Sequence, residues 1–175
     1  IPLIVRADRA SDILFLINFS VEKNIRLIIR GGSEAWMVAK QLANTKTPVI
    51  LEPINNLPSS FNQLGARLDN ASLLEKAGVK ILIASHETHN SYLSRQAAGI
   101  AVSYGLPWDV ALKSLTSNVA EVFGLKKIGM IEIGYKADLI IWGKDPLEIS
   151  AFAEQIYISG KLMSNESRST RLGDS

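Results

Sequence analysis

Short apolar runs rich in β-branched residues recur through the first half of the chain. They are Pro2-Leu3-Ile4-Val5, Ile25 to Ile29 (IRLII), Val49-Ile50-Leu51 and Val79 to Ala84 (VKILIA). The first three begin about 23 residues apart, the length of a βα unit with a right-handed crossover. The runs show no polar/apolar alternation, which predicts strands buried on both faces of a parallel sheet.

Helical patterns fill the intervals. Ser11-Asp12 is placed to cap a helix carrying Ile13, Leu14, Leu16, Ile17 and Val21. Ser33-Glu34 opens a second, with Ala35, Met37, Val38, Ala39 and Leu42 on or near its inner face. Asp69-Asn70 is placed to cap a third, with Leu73, Leu74 and Ala77, and Gly78 stands at its exit. After the fourth run the pattern turns helical: Ser91 to Tyr104 closed by Gly105, then a helix with Pro107 in its first turn, then a short one from Ser117-Asn118 to Gly124. Beyond it, glycines at 129, 134, 143 and 160 punctuate short apolar strands expected at Met130–Ile133, Ala137–Trp142 and Gln155–Ser159. The last dozen residues are polar and read as loosely held.

Composition narrows the functions open to such a chain. Its 175 residues suit one domain, or one domain with a small appendage, and 47% apolar content argues against disorder. Lys and Arg exceed Asp and Glu by 19 to 17 with no basic block, which gives no case for nucleic acid. The apolar runs are too short to span a bilayer, so no membrane is expected. The chain has no Cys and two His, which excludes disulfides, thiolate metal sites and a three-histidine zinc site. The compartment stays open: a soluble chain, cytoplasmic or periplasmic. Beginning at Ile1 rather than Met, the chain reads as a processed product or a piece of something longer, with no signal peptide visible.

In parallel βα folds the side chains at the C-terminal strand ends face the site. Here these ends carry Arg6 (then Asp8 and Arg9), Arg30 (then Gly31-Gly32-Ser33), Glu52 (then Asn55 and Asn56) and Ser85-His86-Glu87-Thr88-His89-Asn90. Two readings of Arg6 and Arg30 stand side by side. One is a structural ion pair with Asp8, Glu34 or Glu52. The other is a clamp for a carboxylate or phosphate, which guanidinium grips through two hydrogen bonds. His86 and His89 lie three apart and offer a metal pair only on a helix, whereas the segment reads as loop. The Gly31-Gly32-Ser33 turn either presents backbone N–H groups to an anion or is a plain tight turn.

The most specific pattern lies near the C-terminus. Gly129-Met130-Ile131-Glu132-Ile133-Gly134-Tyr135-Lys136-Ala137-Asp138-Leu139-Ile140-Ile141-Trp142, followed by Asp145-Pro146-Leu147, resembles the run that closes amidohydrolase-superfamily enzymes. Ile156-Tyr157-Ile158-Ser159-Gly160-Lys161 resembles their final strand. Ala111-Leu112, Leu115-Thr116-Ser117-Asn118-Val119-Ala120 and Phe123-Gly124-Leu125 resemble the helix pair before it. The chain is thereby similar to the imidazolonepropionase-like and Xaa-Pro dipeptidase-like branches.

The resemblance implies an α/β fold, the C-terminal half of a (β/α)8 TIM barrel with part of a small β-sandwich. Residues 1–125 would supply four βα units (barrel strands five to eight), 126–163 the sandwich strands, and 164–175 a polar tail. It implies hydrolysis of C–N bonds in cyclic amides or amide-like substrates, assisted by a divalent metal, zinc being the family's expectation. At the places of the family's ligands this sequence differs. The strand-five His falls at Arg6, the strand-six His at Arg30 or Gly31, and the strand-eight Asp at His86. Arg does not ligate metals. Two functions follow: a C–N hydrolase with His86 as catalytic base, or a non-catalytic homologue that binds a small anionic ligand or partners an active relative. In both, Arg6, Arg30, Glu52, His89 and Asn90 are the expected substrate-binding residues. No metal site is assigned, with His86 and His89 the only candidates. The expected partners are a small-molecule substrate or ligand, and either a second copy or a missing N-terminal half of the barrel.

Overall fold

A computed structural model describes residues 1–85 and 88–164. Its first four strands are β1 (Leu3–Ala7), β2 (Leu27–Gly31), β3 (Val49–Leu51) and β4 (Ile81–Ile83). They form one parallel sheet in the order β1-β2-β3-β4. Helices α1 (Ala10–Glu22), α2 (Ala39–Asn44) and α3 (Asn70–Lys76) lie between them, and α4 (Ser94–Ser103), α5 (Trp108–Leu115) and α6 (Ser117–Phe123) follow. This is a mixed α/β fold with the strand order of half a (β/α)8 barrel.

The unalternating strands are explained by what covers each face. Leu27, Ile29, Val49, Leu51, Ile81 and Ile83 point one way, into a core shared with Ile13, Ile17, Leu42, Leu74 and the Ala97/Ala98/Ala101 stripe of α4. Ile28 and Leu82 point the other way and are buried against Val122, with Ile50 and Val119 beside them. Helix α6 therefore closes the lower inner face. Asn118 Nδ2 ties it to the Ile81 carbonyl at 3.0 Å, and Arg26 donates to the carbonyl of Val122.

A second sheet joins β5 (Leu139–Trp142), β6 (Ala153–Ile158) and β7 (Lys161–Leu162), all antiparallel. Ser159 and Gly160 make the β6–β7 turn with φ of 51° and 78°, the left-handed pair that a two-residue hairpin requires. The expected strand at Met130–Ile133 is not formed: the segment is irregular, and Ile131 and Ile133 are exposed. The Asp145-Pro146-Leu147 run docks this region on the helices. Trp108 Nε1 donates to Asp145 at 2.9 Å, and Arg95 Nη1 donates to the carbonyls of Pro146 and Glu148 at 2.6 Å. Leu147 is buried in the main core.

Three helices start differently from what the sequence predicts. Helix α1 begins at Ala10, before Ser11-Asp12, and the Ala10 N–H is taken by Glu34 Oε2 at 2.9 Å. The helix expected from Ser33-Glu34 opens as a 3₁₀ turn, Ala35–Val38, before becoming α2. The helix expected from Ser91 likewise starts as a 3₁₀ segment, Thr88–Leu93, broken at Asn90.

Candidate functional site

Strand register assembles the site. Arg6 pairs with Arg30 and Arg30 with Ile50, so the next residue on that face beyond β3 is Glu52. Alternation thus brings two guanidiniums and one carboxylate to the same face, at the C-terminal strand ends. Arg30 Nε lies 3.0 Å from Glu52 Oε1, and Arg6 Nη1 lies 3.4 Å from both Glu52 oxygens. The Glu52 side chain is 4% exposed, against 42% for Arg6 and 39% for Arg30. A carboxylate this deep is tolerable because both cations meet it. Of the three ion-pair partners open in the sequence, Glu52 takes both arginines. Asp8 stands 3.8 Å from Arg6, and Glu34 is used elsewhere.

The Gly31-Gly32-Ser33 turn does bind an anion, and the anion is this chain's own. Asp8 Oδ1 accepts the Ser33 N–H at 3.2 Å and the Ser33 hydroxyl at 2.9 Å. Gly31 sits at φ 93°, where a Cβ would lie 2.7 Å from Asp8 Oδ1. Between Arg6, Asp8, Ser33, Glu52 and Gln63 is a space of about 10 Å³, room for one water.

The site opens outward along the loop after β3. Pro53–Asn55 forms a 3₁₀ turn whose Asn55 N–H returns to the Glu52 carbonyl at 2.9 Å. A pocket of about 380 Å³ is lined by Arg6, Ile54, Asn55, Leu57, Ser59 and Gln63. Further along, Glu34 Oε1 accepts the Gly65 N–H at 3.2 Å, and Trp36 Nε1 donates to the Gly65 carbonyl at 2.8 Å. Arg67 lies over the Trp36 ring at 4.7 Å and pairs through two nitrogens with Asp69. That hydrogen bond holds the Asp69 carboxyl below the usual carboxylate range. It also diverts Asp69 from capping α3, as the sequence had suggested.

Arg6, Arg30 and Glu52 are brought together as expected. His86 lies outside the described residues. His89 is exposed on the 3₁₀ segment, and among the described residues no hydrogen bond or ion pair joins His89 or Asn90 to the arginine cluster. Ile54, Leu57 and Gln63 were missed by sequence reasoning. The signal available was the long stretch from Glu52 to Asp69 without a regular helix or strand, which in a compact domain marks a functional loop.

A divalent metal does not fit the described donors. Guanidinium offers no lone pair, so neither Arg6 nor Arg30 can serve as a ligand. The Glu52 oxygens face these two cations, and Asp8 is held by Ser33. Among the described residues no three of His, Cys, Asp and Glu are grouped to hold an ion.

A parallel sheet in the strand order of half a barrel, with polar residues gathered at its C-terminal strand ends, has its site where (β/α)8 barrels carry theirs. The chain belongs to the amidohydrolase family, whose model matches residues 10–163. It is similar to an amidohydrolase from Thermotoga maritima MSB8, with 32% identity and a TM-score of 0.86 over 95% of this chain and 44% of that one. It is similar to an adenine deaminase of Bdellovibrio bacteriovorus, 31% identical over 144 residues, 82% of this chain and 20% of that protein. A prolidase complexed with N-methylphosphonate-L-proline shares the fold at 20% identity and a TM-score of 0.70, over 93% of this chain and 45% of that one. The chain thus spans less than half the length of each of these relatives. Among the described residues no helix is long and apolar enough to cross a membrane.

Proposed function

We propose that the protein is a hydrolase of C–N bonds in small amide-like compounds that carry an anionic group, and that these strand ends bind the anion of the substrate rather than a metal. The observation that carries this reading is Arg6. Its side chain is nearly half exposed, its contacts to Glu52 and Asp8 are long, and among the described residues its Nη2 has no partner. A guanidinium so placed is oriented from behind and open in front, which suits two-point binding of a carboxylate. Arg30 and Glu52 support it: the shorter Arg30–Glu52 bond fixes the carboxylate, and the carboxylate fixes Arg6. The amidohydrolase fold and the similarity to an adenine deaminase support chemistry at a C–N bond. In that reaction water adds across the bond, hydroxyl to carbon and proton to the departing nitrogen. His86 is the candidate base, since an imidazole titrates near neutrality.

A second reading, binding without turnover, is favoured by the two guanidiniums at these strand ends, which cannot ligate a metal. The test is hydrolysis of N-acyl amino acids and cyclic ureides, followed by amine release, with metal content measured on the same sample. We expect hydrolysis of the carboxylate-bearing compounds, and Arg6→Gln to raise KM by about tenfold or more while changing kcat less, the mark of lost ground-state binding. Saturable binding of these compounds with no amine released would establish the second reading. A stoichiometric metal lost on His86→Ala would refute the assignment of these strand ends to anion binding alone.

A further inference from the structure

We propose that the loop between β3 and α3 is a specificity wall, and that the site takes a small carboxylate bearing an aliphatic side group, the carboxylate on Arg6 and the aliphatic group against Ile54 and Leu57. This rests on the anion-binding reading of Arg6 and names the substrate class more closely.

The pocket in front of Arg6 measures about 380 Å³, within the range of small-ligand sites. Its polar end is the open side of the guanidinium. Its wall is aliphatic: Ile54 is 41% and Leu57 57% exposed, two large apolar side chains left in water next to a cation. An inorganic anion would use the cation and leave both side chains wet. A purely apolar ligand would bury them and strip water from Arg6 without replacing it, which costs more than the apolar contact returns. Only a ligand with both characters satisfies both ends.

The wall is tied to the anchor. Ile54 stands on the 3₁₀ turn whose Asn55 N–H bonds the Glu52 carbonyl, while the Glu52 side chain holds Arg6. One residue therefore sets the distance between cation and wall. Gln63 adds a polar side chain to the same lining. Its Oε1 accepts from Ser59 Oγ at 2.6 Å, and among the described residues nothing takes its NH₂ donors. They suit the carbonyl of an acylated amine.

The test is calorimetric titration of the full chain with N-acetyl-L-leucine, N-acetylglycine and N-acetyl-L-leucinamide. Partial burial of the leucine side chain should make N-acetyl-L-leucine bind about tenfold tighter than N-acetylglycine. The amide, lacking the carboxylate, should bind at least tenfold more weakly than the acid. Leu57→Ser should cut the leucine-to-glycine ratio below about threefold. Leu57 and Ile54 are both exposed, so the substitutions leave the core intact. Equal affinity for the two acids, or a preference that survives both Leu57→Ser and Ile54→Ser, overturns the specificity wall. If Arg6→Gln then still weakens both acids, the anion site itself stands. If Arg6→Gln weakens neither, the anion site falls, and with it this proposal. Failure of both acids to bind at millimolar concentration overturns both.

Discussion

Glu52 is the residue on which the strand ends depend. Two guanidiniums share its carboxylate, and its own carbonyl anchors the loop that follows. Glu52→Gln keeps the shape and removes the charge, leaving Arg6 and Arg30 facing each other across a neutral amide. Breaking a fully buried pair costs about 3–5 kcal/mol, and the partial exposure of both arginines lowers the expected loss to about 2 kcal/mol. Urea denaturation of the two proteins measures it, and unchanged stability would show that the cluster contributes nothing to the fold. The membership of this cluster was partly legible in the sequence. Arg6 and Arg30 end apolar strands, which is unusual enough to single them out. Their common partner was not legible, because Asp8 lies nearer to Arg6 in sequence, and Glu34 nearer to Arg30, than Glu52 does. Register decides it: Glu52 continues the inward face of β3, whereas Glu34 follows a turn that carries it off that face to the start of α1.

Elements were read well where the signal is local and poorly where the partner is distant. The four apolar runs do form four parallel strands, covered on both faces in β2 to β4 but not in β1, where Leu3 and Ile4 are exposed, and α6 ends at Gly124 as expected. The start of α1 was misread because its cap, Glu34, comes from another βα unit. The start of α3 was placed correctly with the wrong chemistry, since Asp69 pairs with Arg67 instead of the helix end. That pair belongs to a clasp in which Trp36 holds the Gly65 carbonyl and Arg67 covers the indole. The clasp yields a pH prediction. The Arg67 hydrogen bond lowers the Asp69 pKa in the folded protein. A carboxyl lowered on folding adds stability above its unfolded pKa, and this is lost as pH falls through the folded value. The clasp should therefore persist through the ordinary carboxylate range and open only below it. The Trp36 indole N–H resonance, followed by NMR on acidification, reports this directly. A midpoint within the ordinary aspartate range would show that Arg67 does not hold the carboxylate. Asp69→Asn should leave the resonance without that acid transition.

At the scale of the whole molecule, the parallel sheet has two edges, β1 and β4. Helices α4, α5 and α6 pack against β4, and its three residues are buried. β1 is different: Leu3 and Ile4 are exposed, and Ile4 lies on the inward face beside the buried Ile28. An apolar edge strand with unpaired backbone groups is a template for another strand. Apolar residues of the second sheet, Ile140, Ile141 and Ile158, are exposed as well. We propose that these surfaces are covered in the working protein, either by a second copy of the chain or by further βα units that continue the barrel beyond β1. For the chain alone, only a second copy is available. Sedimentation velocity at micromolar concentration should therefore show species of at least twice the 19.1 kDa monomer mass. Ile4→Lys places a charge on the exposed edge, where natural sheets use lysine to block pairing, and should shift the distribution toward monomer. A single 19.1 kDa species in the unsubstituted chain would mean that the β1 edge is stable in water and that no second half-barrel is needed to cover it.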